Sequence, residues 1–275
     1  MKIALFQMCS GIDPHANAKA ITDAMKAASE GRAQMLFTPE MCGMLDRDRA
    51  RAAGKIVRPE DDPVLSAVRA TAAELGIAVA LGSLAVERED GRWVNRAFVI
   101  DGEGTVRATY DKIHMFDVEL ATGESWRESA AYAPGESVVT AEIEGFGKLG
   151  LAICYDIRFP ALFEELGQRK CDVIAIPAAF TKPTGAAHWH VLQRARAIEA
   201  SAFVIAAAQV GKHEDGRETY GHSLVIDPWG EVLLDMGADE PGLGFVEIDL
   251  SRIEAVRRQL PSLANRRDIP KSADQ

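Results

Sequence analysis

Leu149-Gly150-Leu151-Ala152-Ile153-Cys154-Tyr155-Asp156-Ile157-Arg158-Phe159-Pro160 is the stretch on which the reading of this chain turns. Its first five residues are apolar without helical spacing and read as a buried strand. A polar turn follows at once, and residues 161–169 then take up a helical period. A sharp strand-to-helix corner pushes one side chain into a cleft and aims backbone N–H groups at whatever that side chain meets. The corner residue here is Cys154. A helix start and a neighbouring cation both favour thiolate. The turn context alone leaves Cys154 evenly divided between a nucleophile and a buried structural cysteine, since free Cys is among the most buried residue types. Cys9, Cys42 and Cys171 have weaker contexts and read as packing residues.

On both sides of this corner the same grammar repeats. Residues 2–8 and 34–37 read as short strands, and 14–30 as an amphipathic helix closed by Gly31. Asp62-Pro63 opens a second amphipathic helix that Gly76 ends. Residues 77–86, 92–101 and 104–110 are consecutive strand-like segments, with Asp90-Gly91 as a hairpin turn. Beyond the corner come a strand at 172–176, a helix at 186–201 and a strand at 202–208. Further strands are expected at 221–225, 231–234 and 244–249, and a closing helix at 251–260. Strand–helix alternation at both ends of a hairpin-rich middle predicts an α/β protein whose sheets carry helices on their outer faces. Residues 1–251 form the expected domain, and 252–275 the C-terminal helix and a loose polar tail.

Composition narrows the function. Hydrophobic residues make up 47% and charged residues 26% of the 275, which is ordinary globular usage. The net charge of −10 argues against nucleic-acid and anionic-membrane partners, which need a basic footprint. Four cysteines without a C-x-x-C pair suit neither a disulfide scaffold nor a zinc knuckle. The first apolar run is too short for a signal peptide, and no run approaches the roughly 18 apolar residues of a membrane span. A cytoplasmic protein is expected.

A thiol nucleophile needs a base, and none of the six histidines is compelling. His188 and His190 flank Trp189 in a helical pattern, where i and i+2 face different ways, so shared metal ligation is disfavoured. Glu40 follows an apolar strand and a proline, a placement that takes a carboxylate out of water and suits it to accept a proton. Lys112 follows the strand ending at Tyr110; a solvated loop charge is the commoner fate of such a lysine.

Taken together these residues say more. Phe37-Thr38-Pro39-Glu40, Tyr110-Asp111-Lys112-Ile113-His114 and the Cys154–Pro160 segment resemble, in the right order, the Glu, Lys and Cys motifs of the nitrilase superfamily of carbon–nitrogen hydrolases. The resemblance runs from Lys2 to about Leu250. It takes in Glu128-Ser129, Pro134-Gly135, Thr184-Gly185-Ala186-Ala187-His188-Trp189, Tyr220-Gly221-His222-Ser223 and Asp227-Pro228-Trp229-Gly230. Thr38 departs from the pattern, which usually has Leu before Pro-Glu.

The resemblance implies the four-layer αββα sandwich of that superfamily, with sandwiches pairing into a homodimer or higher homo-oligomer. It also implies roles: Cys154 attacking an amide carbonyl, Lys112 and the Tyr155 backbone N–H holding the oxyanion, Glu40 as proton carrier, and Glu128 as a supporting carboxylate. No metal or other cofactor is implied. Within the superfamily the sequence is most similar to the deaminated glutathione amidases, with omega-amidases as near relatives; the substrate implied is a small carboxylated amide cut to acid plus ammonia. Short α-keto ω-amides, N-carbamoyl compounds and a catalytically silent binding module are the alternatives. Arg158 and Thr184 are expected at the substrate. The polar loop 211–219, with Lys212, His213 and Arg217, is expected to meet a far carboxylate or else to be a solvated hairpin.

Overall fold

A computed structural model describes residues 1–119, 123 and 125–268. In the N-terminal half, β1 (Lys2–Gln7), β2 (Met35–Phe37), β3 (Ala78–Glu87), β4 (Trp93–Ile100) and β5 (Val106–Asp111) lie side by side. A small hairpin follows, β6 (Asp117–Glu119) with β7 (Ser125–Arg127). The second half begins with β8 (Thr140–Ile143), β9 (Gly147–Leu151), β10 (Val173–Ala175) and β11 (Phe203–Ala206). Next come a hairpin of β12 (Val210–Lys212) and β13 (Glu218–Tyr220), then β14 (Leu224–Ile226), β15 (Val232–Asp235) and β16 (Gly242–Glu247). One six-stranded sheet has the order β16-β1-β2-β3-β4-β5 and the other β15-β14-β11-β10-β9-β8. Strands β1, β2 and β3 are parallel, as are β9, β10 and β11, and antiparallel strands flank both sets.

The period of two explains the layers. In β1, Ile3 and Leu5 pack toward the second sheet while Ala4 faces the helices. In β2, Met35 and Phe37 point one way and Leu36 the other; in β4, Ala97 and Val99 oppose Phe98 and Ile100. Ala4, Leu36 and Phe98 lie against Ile21, Met25 and Val68 of α1 (Pro14–Glu30) and α3 (Pro63–Leu75). The second sheet is covered on its outer side by α4 (Pro160–Gln168) and α5 (Lys182–Ala200), through Phe163, Leu166, Trp189 and Ala197. The result is the expected αββα sandwich.

The helix boundaries follow from caps. Asp62 accepts from the Val64 and Leu65 amides at 2.9 and 2.8 Å, and Gly76 ends α3 in the left-handed region. One difference from the sequence reading has a simple cause. Helix α5 starts at Lys182, not at 186, because Pro183 sits in the first turn, where its missing N–H costs nothing. The turn expected after β9 is a 3-10 turn, Cys154–Arg158, and the helix expected at 161–169 follows it from Pro160 to Gln168. The short α2 (Arg49–Ala53), strand β8 and the two small hairpins carry too little periodic signal to be read from sequence. The C-terminal helix α6 (Ser251–Gln259) buries Ile253 and Val256 against the body. Of the expected polar tail, residues 269–275 lie outside the described residues.

Candidate active site

Four charged or nucleophilic side chains meet at one end of the sandwich because each sits just past the end of a strand or at the edge of a short turn. Glu40 follows β2, and the path of that segment is set by Gly82 on β3. A Cβ at Gly82 would lie 2.0 Å from the Thr38 carbonyl oxygen, so only glycine lets the two backbones approach. The Gly82 amide donates to Thr38 Oγ1 at 2.9 Å, which gives the unexpected threonine a packing role in place of leucine. Lys112 follows β5 on the same face as buried Tyr110, and it is buried with 2% exposure where a solvated charge was the commoner expectation. Glu128 leads a single 3-10 turn after β7.

Cys154 stands at the corner foreseen for it. Its φ of +46° is left-handed, as is the +55° of Met41 directly after Glu40. Such backbone in non-glycine residues costs about 1–3 kcal/mol and persists only where the surroundings enforce it. Here the enforcer is Asp156. Its carboxylate, fully buried, accepts from the Ile153 amide at 2.9 Å, the Tyr110 hydroxyl at 2.7 Å and the His114 amide at 3.0 Å, with His114 Nδ1 at 2.7 Å. Burial, and then the Asp156 charge, push the Tyr110 hydroxyl far above the ordinary tyrosine range, so it remains a donor. The Cys154 amide donates to the Pro177 carbonyl at 2.9 Å, while the Tyr155 amide makes no hydrogen bond to another described residue.

The charges form a closed set. Lys112 Nζ donates to Glu40 Oε1 at 2.9 Å and to Glu128 Oε1 and Oε2 at 3.0 and 2.8 Å. Glu40 Oε2 accepts from the Ala179 amide at 2.9 Å, and Glu128 Oε2 from the Phe116 amide at 2.7 Å. Burial works against the ammonium, yet the Glu128 and Glu40 carboxylates outweigh it and hold Lys112 charged well above the usual lysine range. The Cys154 thiol is pushed well up by burial and by Glu40, with Lys112 pulling the other way, so the resting sulfur keeps its proton. Neighbouring cation and turn, which on sequence alone favour thiolate, are outweighed here by burial and by Glu40.

Asn95 is the residue that sequence reasoning missed. Its Nδ2 donates to Glu40 Oε1 at 2.9 Å and to Glu128 Oε1 at 3.3 Å, bridging the two carboxylates. The available signal was an amide at the inward-facing phase of β4, in step with Ala97 and Val99.

These groups floor a cavity of about 170 Å³ that Glu40, Asn95, Lys112, Glu128, Cys154, Tyr155 and Thr184 all line. Arg47, Arg49, Arg127 and Arg217 line it as well. Arg158 does not: its guanidinium packs over the Phe180 and Tyr155 rings, 5.3 and 5.8 Å from their centroids, with His188 Nδ1 at 3.3 Å. The 211–219 loop divides in three. Lys212 is exposed off the cavity, His213 turns inward to Ser10 and Thr219, and Arg217 reaches the wall with its neighbours Glu218 and Thr219, beside Asp215 and over Trp126.

Residues 2–258 match the carbon-nitrogen hydrolase family model. The chain belongs to that family. Among carbon-nitrogen hydrolase relatives, a deaminated glutathione amidase of Yersinia enterocolitica is 37% identical over 270 residues, spanning 97% of this chain and 93% of its own. The Caenorhabditis elegans NitFhit crystal structure superposes with a TM-score of 0.88 at 34% identity, covering 97% of this chain and 65% of that one. A variant of the amidase from Nesterenkonia sp. AN1, carrying acrylamide added to its active-site cysteine, matches with a TM-score of 0.79 at 29% identity over 95% of this chain and 98% of that one. As a carbon-nitrogen hydrolase of this kind the chain is an enzyme of the amidase class, as the sequence resemblance implied. Among the described residues no helix is long and apolar enough to cross a membrane.

Proposed function

We propose that the protein hydrolyses a small carboxylated amide through a Cys154 thioester, with Glu40, Lys112 and Glu128 as its charged machinery, and that deaminated glutathione is the substrate. The observation that carries this reading is the buried Glu40–Lys112–Glu128 set packed against a protonated thiol on the floor of one cavity. Cys154 Sγ attacks the amide carbon as its proton passes to Glu40. The carbonyl electrons move to oxygen, where Lys112 Nζ and the Tyr155 N–H stabilise the charge; preorganised donors of this kind are worth most in a dry site. When the tetrahedral species collapses, the C–N bond breaks and Glu40 gives the proton to the leaving amine. Water then attacks the thioester, Glu40 takes its proton, and sulfur leaves and is reprotonated. Glu128 and Asn95 hold Lys112 and Glu40 at fixed separation throughout.

The mouth of the cavity supports a carboxylated substrate. Arg47 and Arg49 have no carboxylate partner among the described residues, and Arg217 lies nearby, on a chain that is strongly acidic overall. Guanidinium is the side chain suited to bidentate capture of carboxylate. The relatives named deaminated glutathione amidase support the choice of substrate, which carries an α-keto acid at one end and a carboxylate on a long arm. The four free thiols suit a reducing, cytoplasmic setting.

Two measurements test this. Cys154→Ala is expected to abolish turnover with the fold retained, Glu40→Gln to lose about 10²–10⁴-fold in kcat, and Lys112→Met about 10²–10³-fold or more. Changes confined to KM would turn these residues into substrate binders and end the mechanism. In the second, kcat/KM should favour deaminated glutathione over α-ketoglutaramate, which lacks the long arm. Arg49→Ala with Arg217→Ala should shrink that preference and spare the short amide. Equal or better turnover of α-ketoglutaramate moves the assignment to omega-amidase.

A further inference from the structure

Away from the catalytic cavity, three side chains from three separate elements converge. His190 projects from the middle of α5, His222 from the turn before β14, and Asp235 from the end of β15. His190 Nε2 lies 3.0 Å from Asp235 Oδ2, and His222 Nδ1 lies 2.8 Å from Asp235 Oδ1. One donor atom from each residue falls within 4.8 Å of the other two. None of the three lines the catalytic cavity. The helical period separates His190 from His188 as expected; the tertiary fold supplies His190 with other partners.

The three are held in place by more than their mutual contacts. His222 has a left-handed backbone, φ +52°, its amide donates to the Gly237 carbonyl at 2.7 Å, and its carbonyl accepts from Trp189 Nε1 at 2.8 Å. Asp235 Oδ1 also accepts from the Gly237 amide at 2.9 Å. The Tyr220 ring stacks on His222 with centroids 4.5 Å apart, and the His190 ring meets His222 edge-on at 4.8 Å. Side-chain exposures of 34% for His190 and Asp235 and 21% for His222 leave the cluster open to an ion from solvent.

We propose that His190, His222 and Asp235 form a binding site for a divalent transition-metal ion of the zinc class, separate from the catalytic cavity. Two imidazole nitrogens and one carboxylate oxygen are a donor set that zinc accepts, with water in the fourth position. Magnesium and calcium prefer oxygen throughout, which sets them aside here. A tetrahedral ion with bonds of about 2.0–2.1 Å needs donors roughly 3.3 Å apart. The two imidazole–carboxylate separations are already close to that, so small rotations about the side-chain torsions seat the ion where the N–H···O contacts now lie. The ion ties α5, whose first turn brings Thr184 to the cavity wall, to β15 at the edge of the second sheet. It takes no part in the amide chemistry.

The full chain carrying Cys154→Ala, which removes the competing active-site thiol, is stripped of metal and titrated with zinc chloride by calorimetry. One ion per chain with a micromolar dissociation constant is expected, and at a hundredfold excess over that constant a rise in Tm of about 5 °C. His190→Ala, His222→Ala and Asp235→Asn should each weaken zinc at least tenfold. His190→Glu, which keeps a ligand at the same place, should retain much of the affinity. Absence of saturable binding overturns the proposal. So does an affinity unchanged in the His190→Ala/His222→Ala double variant, which would send the ion elsewhere, for instance to Cys9 and His213.

Discussion

Asn95 has no reactive group, yet under the proposed mechanism it shapes the chemistry. Two carboxylates and an ammonium share a small buried space, and the amide supplies donors that keep Glu40 and Glu128 apart without adding charge. Asn95→Ala is expected to lower kcat by about 10–100-fold with a smaller change in KM, the scale on which groups that orient reacting residues act. Steady-state kinetics beside a circular-dichroism melt separate this from unfolding, and an unchanged kcat in a folded variant would refute the role. Thr38 is the other residue whose identity the structure explains. Thr38→Val removes the acceptor of the Gly82 amide and leaves a buried donor unsatisfied, so a loss of about 1–3 kcal/mol in denaturant unfolding is expected.

At the scale of elements, the β12–β13 hairpin carries Arg217 and Thr219 to the cavity wall, and His213 anchors it underneath. The imidazole sits between the Ser10 carbonyl at 3.0 Å and Thr219 Oγ1 at 2.7 Å. Burial, with the Arg217 charge adding to it, pulls His213 below the ordinary histidine range, so the folded chain binds this proton less readily than the unfolded one. The sign follows: the anchor's full contribution is present above about pH 6.5, the unfolded value, and falls away as the pH drops below it. A Tm series from pH 7.5 to 5 should therefore be shallower for His213→Gln than for the parent. Parallel curves would show that His213 does not carry this dependence.

At the scale of the whole molecule, the outer face of α5 and the neighbouring strand turn leave large apolar side chains in water. Val191 is 68% exposed, Trp229 46% and Ile198 42%. Ile198 and the Trp229 turn are neighbours, since a Cβ on Gly230 would lie 2.7 Å from Ile198 Cδ1. Exposed apolar side chains gathered on one helix face are what a two-fold pairing of copies would cover. We expect light scattering to give a mass of two copies of the 29.8 kDa chain or an even multiple. Val191→Glu with Ile198→Glu should shift the mass toward one copy; a monomeric parent would remove this face as the interface.

The sequence by itself determined the order of elements, the inward and outward faces of each strand, and the corner that presents Cys154, because those depend on local period, turn chemistry and caps. The linear motifs around Glu40, Lys112 and Cys154 were legible for the same reason: each lies within a few residues of a strand end. What only the tertiary structure decided was who meets whom across long stretches of chain. Asn95 touches Glu40 from 55 residues away, and Asp156 reaches Tyr110 across 46. Arg158 packs onto the Phe180 and Tyr155 rings without itself lining the cavity, while Arg217 reaches the cavity wall. His190 leaves His188 behind and finds His222 and Asp235. The physical reason is range: periodicity reports which side of an element a residue occupies, whereas side-chain pairing and burial arise only when two sheets and their helices close over one another.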